Sequence, residues 1–116
     1  MNRYQDLKVW QKAMDLVEII YELSKSFPDE EKFGLTSQIR RSAVSIPSNI
    51  AEGSGRSSKK EFLQFLSIAT GSLFELDTQI MITKRTGIID STKQSEMSLR
   101  IEEIHRMIFG LMNSLK

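Results

Sequence analysis

The sequence predicts an all-α fold, an up-down-up-down bundle of four helices in a single domain spanning residues 1–116. Apolar residues recur at spacings of three and four along the chain and not at two, which is the pattern of amphipathic helices. Short stretches rich in glycine, proline and serine separate four such segments. Long helices joined by short loops pack most simply as an up-down-up-down bundle. The helices are predicted at about residues 6–26, 35–53, 58–86 and 91–115.

The first helix carries more apolar surface than a lone bundle would use. We predict that it begins at Asp6 as N-cap and ends near Ser26, before Phe27 and Pro28. At 100° per residue its apolar side chains fill an arc of roughly 220°. A helix at the surface of a globular protein needs little more than about 100°. We therefore expect copies of the chain to associate.

The second helix contains Pro47 within an otherwise regular apolar pattern. Proline lacks a backbone donor and clashes with the carbonyl four residues earlier, here that of Ala43, so we expect a kink. The alternative is a break, with Pro47 as the first residue of a new helix. Gly53-Ser54-Gly55 then ends this helix.

Capping signals mark the last two helices. Ser58 and Glu61 have the spacing of a capping box at the start of the third helix, which Gly87 closes. This helix carries a second apolar stripe beside its main one, formed by Leu63, Phe74 and Met81. Either Asp90 or Ser91 opens the fourth helix, with Ser91 to Gln94 as a further capping box. Its apolar residues form a heptad seam: Met97, Ile101, Ile104, Ile108, Leu111 and Leu115.

The composition argues against most catalysis. The chain has no cysteine, which excludes disulfides, thiol catalysis and cysteine-based metal sites. Its one histidine, His105, completes a Glu-x-x-His motif, but di-iron bundles need two copies. We therefore expect no catalytic residue, no metal and no cofactor. The N-terminus does not read as a signal peptide and no apolar run is long enough to span a membrane, so we expect a cytoplasmic protein.

Basic residues cluster in the middle of the sequence. The segment from Arg40 to Glu61 contains five basic and two acidic residues. Its net charge is therefore +3, in a chain whose net charge is +1. Such a cluster can bind nucleic-acid phosphates, pair with carboxylates between helices or subunits, or simply be solvated. The glycine-serine loop within it is either an anion cradle at a helix N-terminus or only a glycine stop followed by a serine cap. The candidate nucleic-acid or anion ligands are Arg40, Arg41, Arg56, Lys59 and Lys60.

Asp77 lies between the two apolar stripes of the third helix. A carboxylate that is buried there needs a partner. Arg40 or Arg41 is the natural candidate, in an ion pair between helices or between subunits.

Three blocks of the chain resemble a known family: DLKVWQKAMDL, FGLTSQIRRSAVSIPSNIAEGSGR and EFLQFLSIATGSLFELDTQI. They are similar to the bacterial four-helix bundle proteins encoded by intervening sequences in genes for large-subunit ribosomal RNA, often labelled as ribosomal. The resemblance covers Asp6 to about Ile82 and implies a left-handed bundle that assembles into a homopentamer. A more distant similarity is to the accessory protein of diversity-generating retroelements, a basic pentamer that binds a reverse transcriptase and nucleic acid. This chain departs from it in being nearly neutral.

Two functional hypotheses follow. The first is a non-catalytic homo-oligomer that binds RNA or a nucleic-acid-handling protein. The alternative is a purely structural or protein-interaction oligomer without a role in nucleic-acid binding.

Overall fold

The computed structural model describes residues 3–116, and this part of the chain folds into four helices without a strand. The helices are α1 (Lys8–Ser24), α2 (Leu35–Ser54), α3 (Lys59–Arg85) and α4 (Ser91–Ser114). Short 3₁₀ turns at Tyr4–Asp6 and Asp29–Glu31 precede α1 and α2. The observed helix ends lie within about two residues of the predicted ones, which is the usual uncertainty of such boundaries.

Consecutive helices pack side by side, and α4 closes the arrangement by packing on α1. Within the described residues, the diagonal pairs α1 with α3 and α2 with α4 do not come into backbone proximity. The bundle is elongated, 44 × 24 × 20 Å. The predicted seam of α4 is confirmed for its first four residues, which are buried, whereas Leu111 and Leu115 are half-buried. The buried centre is made of aliphatic side chains from all four helices, among them Leu16, Ile20, Ile39, Ile46, Leu73, Leu76, Ile104 and Ile108.

The start of α1 differs from the prediction. Asp6 is not the N-cap: it ends the 3₁₀ turn, and Leu7 takes the cap position with extended backbone and no side-chain hydrogen bond. Instead of a carboxylate cap, the Gln11 side chain folds back and donates to the Gln5 carbonyl at 2.8 Å. The turn thereby ties the segment before α1 to the first turn of the helix.

α2 runs through Pro47 as one helix, so the predicted alternative of a break there is wrong. Pro47 is buried, and Val44 and Ser48 lie beside it in the groove between α1 and α2. The hydroxyl of Ser48 donates to the Val44 carbonyl at 2.8 Å, and the Asn49 amide donates to the Ser45 carbonyl at 2.7 Å. These side chains supply extra hydrogen bonds to α2 carbonyls in the turns that contain the proline.

The predicted N-cap of α3 is confirmed and its capping box is only half formed. The Ser58 hydroxyl accepts a hydrogen bond from the Glu61 amide at 3.1 Å. The Glu61 carboxylate, however, accepts from the Ser58 hydroxyl and not from its backbone amide. Glu61 therefore serves the helix start as an anion in its first turn.

The loop between α3 and α4 is set by two local motifs. Gly87 has φ +81°. The Ile88 amide donates to Thr83 and the Gly87 amide to Lys84, the two hydrogen bonds of a Schellman motif. At the start of α4, Asp90 is the N-cap, since its carboxylate accepts from the Lys93 amide at 2.8 Å. The predicted capping box opening at Ser91 is wrong, because Ser91 is already the first residue of the helix.

α2 and α3 approach each other closely through small side chains. Ser45 and Ser72 share a hydrogen bond of 2.8 Å between the helices. Nearer the connecting loop, Gly53 is buried, and a Cβ atom on it would lie 2.6 Å from the Cβ of Phe65. The predicted end at Gly53-Ser54-Gly55 is confirmed, since α2 ends at Ser54 and Gly55 is its C-cap; Gly53 itself lies in the last turn, where the missing side chain admits α3.

Candidate functional site

Arg40 is committed to contacts within its own chain. Its Nε donates to the Ser24 hydroxyl at 2.8 Å, and its guanidinium lies 4.7 Å from the centre of the Tyr21 ring. It thereby links α2 to the last turn of α1. Stacking on tyrosine and hydrogen bonding to an uncharged hydroxyl leave its positive charge unneutralised.

Arg41 is exposed and lines a polar cleft of about 410 Å³ between α2 and α3. Glu75 lies on the same cleft, but within the described residues no carboxylate comes within 4 Å of Arg41. Gln79 of α3 also lines the cleft, and its buried carboxamide oxygen has no hydrogen-bond partner among the described residues. The cleft is therefore polar, with donors on α2 and acceptors on α3.

Arg56, Lys59 and Lys60 lie at the end of the bundle where α2 meets α3, and all three are exposed. Arg56 pairs with Glu52 at 2.8 Å and stacks on Phe65, 4.8 Å from the ring centre. Among residues 3–116, no ion pair involves either lysine. The end of α2 lies roughly 20 Å along the helix axis from Arg41, at 1.5 Å per residue. The five predicted ligands thus form two separate groups rather than one patch.

The N-terminus of α3, predicted as a candidate anion cradle, already faces an anion of its own. The Glu61 carboxylate accepts hydrogen bonds from the hydroxyls of Ser57 at 3.3 Å and Ser58 at 3.1 Å. An external phosphate that approached these two hydroxyls would compete with that carboxylate. Lys59 and Lys60 remain available to a ligand that approaches from solvent.

Asp77 is half-buried and accepts a hydrogen bond from the Ser98 hydroxyl of α4 at 2.8 Å. Ser98 in turn accepts from the Gln94 amide at 2.9 Å. Within the described chain, Asp77 makes no ion pair with Arg40 or Arg41. Pairing between subunits stays a prediction.

His105 lies beside the seam of α4 and is half-buried. Its ring packs edge-on against Phe74 of α3, with 5.1 Å between ring centres. Ser67 and Thr70 line the adjoining pocket of about 240 Å³. Residues 3–116 contain no group of three histidine or carboxylate side chains placed to hold a metal ion. Among the same residues, no helix has the length and apolar character needed to cross a bilayer.

Two apolar grooves lie apart from the predicted basic residues. The first, which we call the α1–α2 face, has an opening of about 330 Å³ between these helices. Met14 and Val44 are 38% and 40% exposed on it. Its lining residues are Tyr4, Trp10, Met14, Val17, Val44, Pro47, Ser48 and Ala51. The broad apolar arc of the first helix predicted the part of this face that α1 contributes. Nothing in the sequence predicted the contribution of Val44.

The second groove, the α3–α4 face, carries two aromatic rings that are more than half exposed. Phe74 is 54% exposed and Phe109 is 59% exposed. The face comprises Ser67, Thr70, Phe74, His105, Phe109 and Met112. Phe74 belongs to the predicted second stripe of α3, but Phe109 stands alone outside the α4 seam and was missed.

The remaining two grooves are polar or charged. The cleft between α2 and α3 is the one that contains Arg41 and Glu75. The groove between α1 and α4 is lined in part by Glu22, Lys93, Glu96 and Arg100. The four helices follow one another around the bundle in chain order. The α1–α2 face and the α3–α4 face therefore lie on opposite sides of it.

The family of this chain is decided by a match to a family model. The model for the 23S rRNA-intervening sequence protein matches residues 5–110. The chain belongs to the 23S rRNA-intervening sequence protein family. The match extends the resemblance seen in the sequence blocks to most of α4, where the blocks had ended at about Ile82.

A solved structure of similar fold comes from Bacteroides thetaiotaomicron. It is described as a protein with unknown function from the S23 ribosomal protein family. This chain is similar to it with a TM-score of 0.83 and 27% sequence identity, over 90% of this chain and 97% of that one. Comparison with functionally curated proteins gave no match. Membership of this family agrees with the four-helix fold but assigns no molecular function.

Proposed function

We propose that this protein is a non-catalytic, homo-oligomeric helical-bundle module. One observation carries the proposal: two apolar faces with partly exposed side chains lie on opposite sides of the bundle, at α1–α2 and at α3–α4. Monomeric proteins seldom expose large contiguous apolar patches, and those that exist usually mark interaction sites. Association of copies would remove both faces from water.

The proposed subunit is a left-handed, up-down-up-down bundle with α2 kinked at Pro47. Contacts between neighbouring helices support this topology. The middle of α2 meets the middle of α3 at Ser45 and Ser72, while its end at Gly53 meets the start of α3. The start of α1 meets the second half of α4 through Lys12 and Glu103, 3.6 Å apart.

The proposed assembly is a homopentamer, the number that the family resemblance implies. Light scattering over a range of protein concentrations tests it directly. We expect a mass about five times the 13.3 kDa of one chain. A monomer that persists at several hundred micromolar would overturn the oligomeric proposal.

The proposed ligand of the oligomer is RNA or a nucleic-acid-handling protein in the cytoplasm, bound at the basic end of the bundle. Support comes from Lys59 and Lys60, which are exposed there beside Arg56. Each subunit of a ring would add its own lysines, so that weak contacts act together. Arg41 lies further along α2 and would add a contact only for a ligand that runs along the bundle.

The test is a titration of an RNA oligonucleotide at several salt concentrations. Each phosphate neutralised adds about 0.7–0.9 to the slope of log affinity against log salt. We expect Lys59→Ala/Lys60→Ala to weaken binding and flatten this slope. The matched control is Lys84→Ala/Arg85→Ala, which removes two exposed basic residues at the opposite end of α3 and should leave the slope unchanged. Equal losses in both variants, or no binding at low salt, would reject the basic end as the RNA site.

A second candidate function, a protein-interaction oligomer without nucleic acid, is favoured by a different observation. Arg40 and Arg56 are held by contacts within the chain, and Glu61 already faces the start of α3. Capture of partners from a cell extract, with and without nuclease, separates the two functions. Partners that are retained after nuclease treatment favour protein recognition.

A further inference from the structure

We propose that the α3–α4 face of one copy docks on the α1–α2 face of the next, so that the contact joins two different surfaces. The inference rests on the proposed oligomer and names the surfaces that build it. A contact of this type, called heterologous, repeats from copy to copy and closes into a ring when the rotation permits.

The choice of these faces follows from the exposed apolar side chains that line their grooves; Ile68, Ile82 and Leu99 are also exposed but line neither groove. Phe74 and Phe109 are more than half exposed on the α3–α4 face, while Met14 and Val44 are partly exposed on the α1–α2 face. The other two grooves carry arginine, lysine and glutamate side chains, whose desolvation would oppose burial. A lateral contact between copies therefore gains most by joining apolar surfaces.

The choice of a second copy as the occupant follows from the position of the two faces. They lie on opposite sides of one rigid bundle, so a chain cannot cover one face with its other face. An isologous dimer, in which like surfaces pair, would cover one face and leave the other in water. Heterologous contacts cover both faces of every copy with a single kind of interface.

The two faces are also suited to each other in shape. Small side chains, Ser48 and Ala51, line the α1–α2 face next to Pro47 and leave an opening of about 330 Å³. The half-exposed rings of the other face would fill such an opening. An aromatic side chain buries about 150–250 Å², so the exposed parts of Phe74 and Phe109 offer roughly 200 Å² together. A standard interface buries about 800 Å² per partner, so flanking side chains supply the rest and the rings form its centre.

The experiment uses two variants, each of which blocks one face. Val44→Arg places a charge on the α1–α2 face, and Phe109→Arg places one on the α3–α4 face. Both residues are partly exposed, so the subunit should keep its helical circular dichroism and cooperative unfolding. Met14→Arg serves as a second block of the α1–α2 face should Val44→Arg misfold. Phe33→Arg, a replacement of the 91% exposed ring in the α1–α2 connection, is the matched control.

We expect each blocked variant alone to have the mass of one chain in light scattering. An equimolar mixture should form a dimer of twice 13.3 kDa and nothing larger. The intact α3–α4 face of Val44→Arg can dock on the intact α1–α2 face of Phe109→Arg, and both remaining faces of that dimer are blocked. The control should assemble like the wild type. A mixture that stays monomeric, or a blocked variant that still assembles, would overturn the docking of these faces. A wild type that is itself monomeric would instead refute the oligomeric proposal, so the two failures are distinguishable.

Discussion

Replacing Gly53 by alanine tests whether close packing of α2 on α3 sets the stability of the bundle. The added Cβ would lie 2.6 Å from the Phe65 Cβ and 3.0 Å from Cδ1 of Phe62. Carbon atoms in ordinary contact are about 3.5–4.0 Å apart, so the helices would have to separate by about 1 Å. The nearer obstacle is a Cβ atom fixed to the α3 backbone, which a change of rotamer cannot move.

Two effects of opposite sign decide the size of the change. Alanine is favoured over glycine in a helix interior by about 0.5–1 kcal/mol. Overpacking of a well-packed interior typically costs about 1–3 kcal/mol. Because the obstacle here belongs to the backbone, we take the upper part of that range and expect Gly53→Ala to lower the free energy of unfolding by about 1–2 kcal/mol. For a domain of this size the melting temperature should fall by about 4–8 °C.

The assay is thermal and urea unfolding followed by helical circular dichroism, with all proteins at one concentration because association raises the apparent stability. Gly71→Ala is the matched control, since an added Cβ there meets nothing within 4 Å. Gly71→Ala should raise the melting temperature, because only the preference of a helix interior for alanine over glycine then acts. If Gly53→Ala is as stable as Gly71→Ala, close approach at Gly53 does not constrain the bundle and the reasoning is refuted.

Three further predictions concern single hydrogen bonds and are measured by the same unfolding assays. Ser58→Ala removes the N-cap of α3 and should cost about 1 kcal/mol, whereas Ser57→Ala, which loses only a contact to the Glu61 carboxylate, should cost much less. Asp90→Ala should cost about 1 kcal/mol by uncapping α4, and Ser91→Ala should be nearly neutral; the reverse order would reinstate Ser91 as the cap. Ser98→Ala removes the donor to Asp77 and should cost about 1 kcal/mol, and an unchanged stability would show that water replaces the hydroxyl without loss.

The helices were predictable from the sequence because their apolar spacing is sustained over many turns. The seam that begins at Met97 determines which side of α4 is buried, regardless of its partners. A predicted helix boundary was wrong where two local backbone arrangements are both plausible. Asp6 is a good N-cap residue, yet the chain makes a 3₁₀ turn there and starts α1 at Lys8. The sequence does not show which of these two helix starts is more stable. In either one, the first backbone amides of the helix can be hydrogen-bonded by the protein or by water.

Gly53 shows a different limit. A glycine followed by Ser54 and Gly55 is typical of a helix end, and sequence alone cannot tell a stop from a point of close approach. The distinction depends on Phe65, which lies far along the chain and comes opposite Gly53 only when α3 folds back. Tertiary contact therefore gives that glycine its role.

The sequence predicted a cluster of basic residues, but it did not predict how the fold arranges them. The basic residues from Arg40 to Lys60 are close in sequence, and a helix rises 1.5 Å per residue, so α2 carries its two arginines away from the lysines at its end. The contacts of Arg40 with Tyr21 and Ser24 depend on the packing of α1 on α2. Local charge counts cannot foresee such a separation or such a partner.

The proposed assembly and the proposed ligand constrain each other through symmetry. If copies meet through their lateral α1–α2 and α3–α4 faces, rotation about an axis along the bundles relates them, and every subunit points the same end the same way. The lysines that start α3, Lys59 and Lys60, then gather on one rim of the ring, while the turn Asp29–Glu31 gathers on the other together with Lys84 and Arg85. Between Glu52 and Glu61 three basic residues outnumber two acidic ones, so each subunit would add one net positive charge to this rim, and the sum over the ring would attract phosphates. Nucleic-acid binding should consequently be lost in the monomeric Val44→Arg variant even though all its lysines remain, whereas a monomer that binds as tightly as the ring would separate ligand binding from assembly.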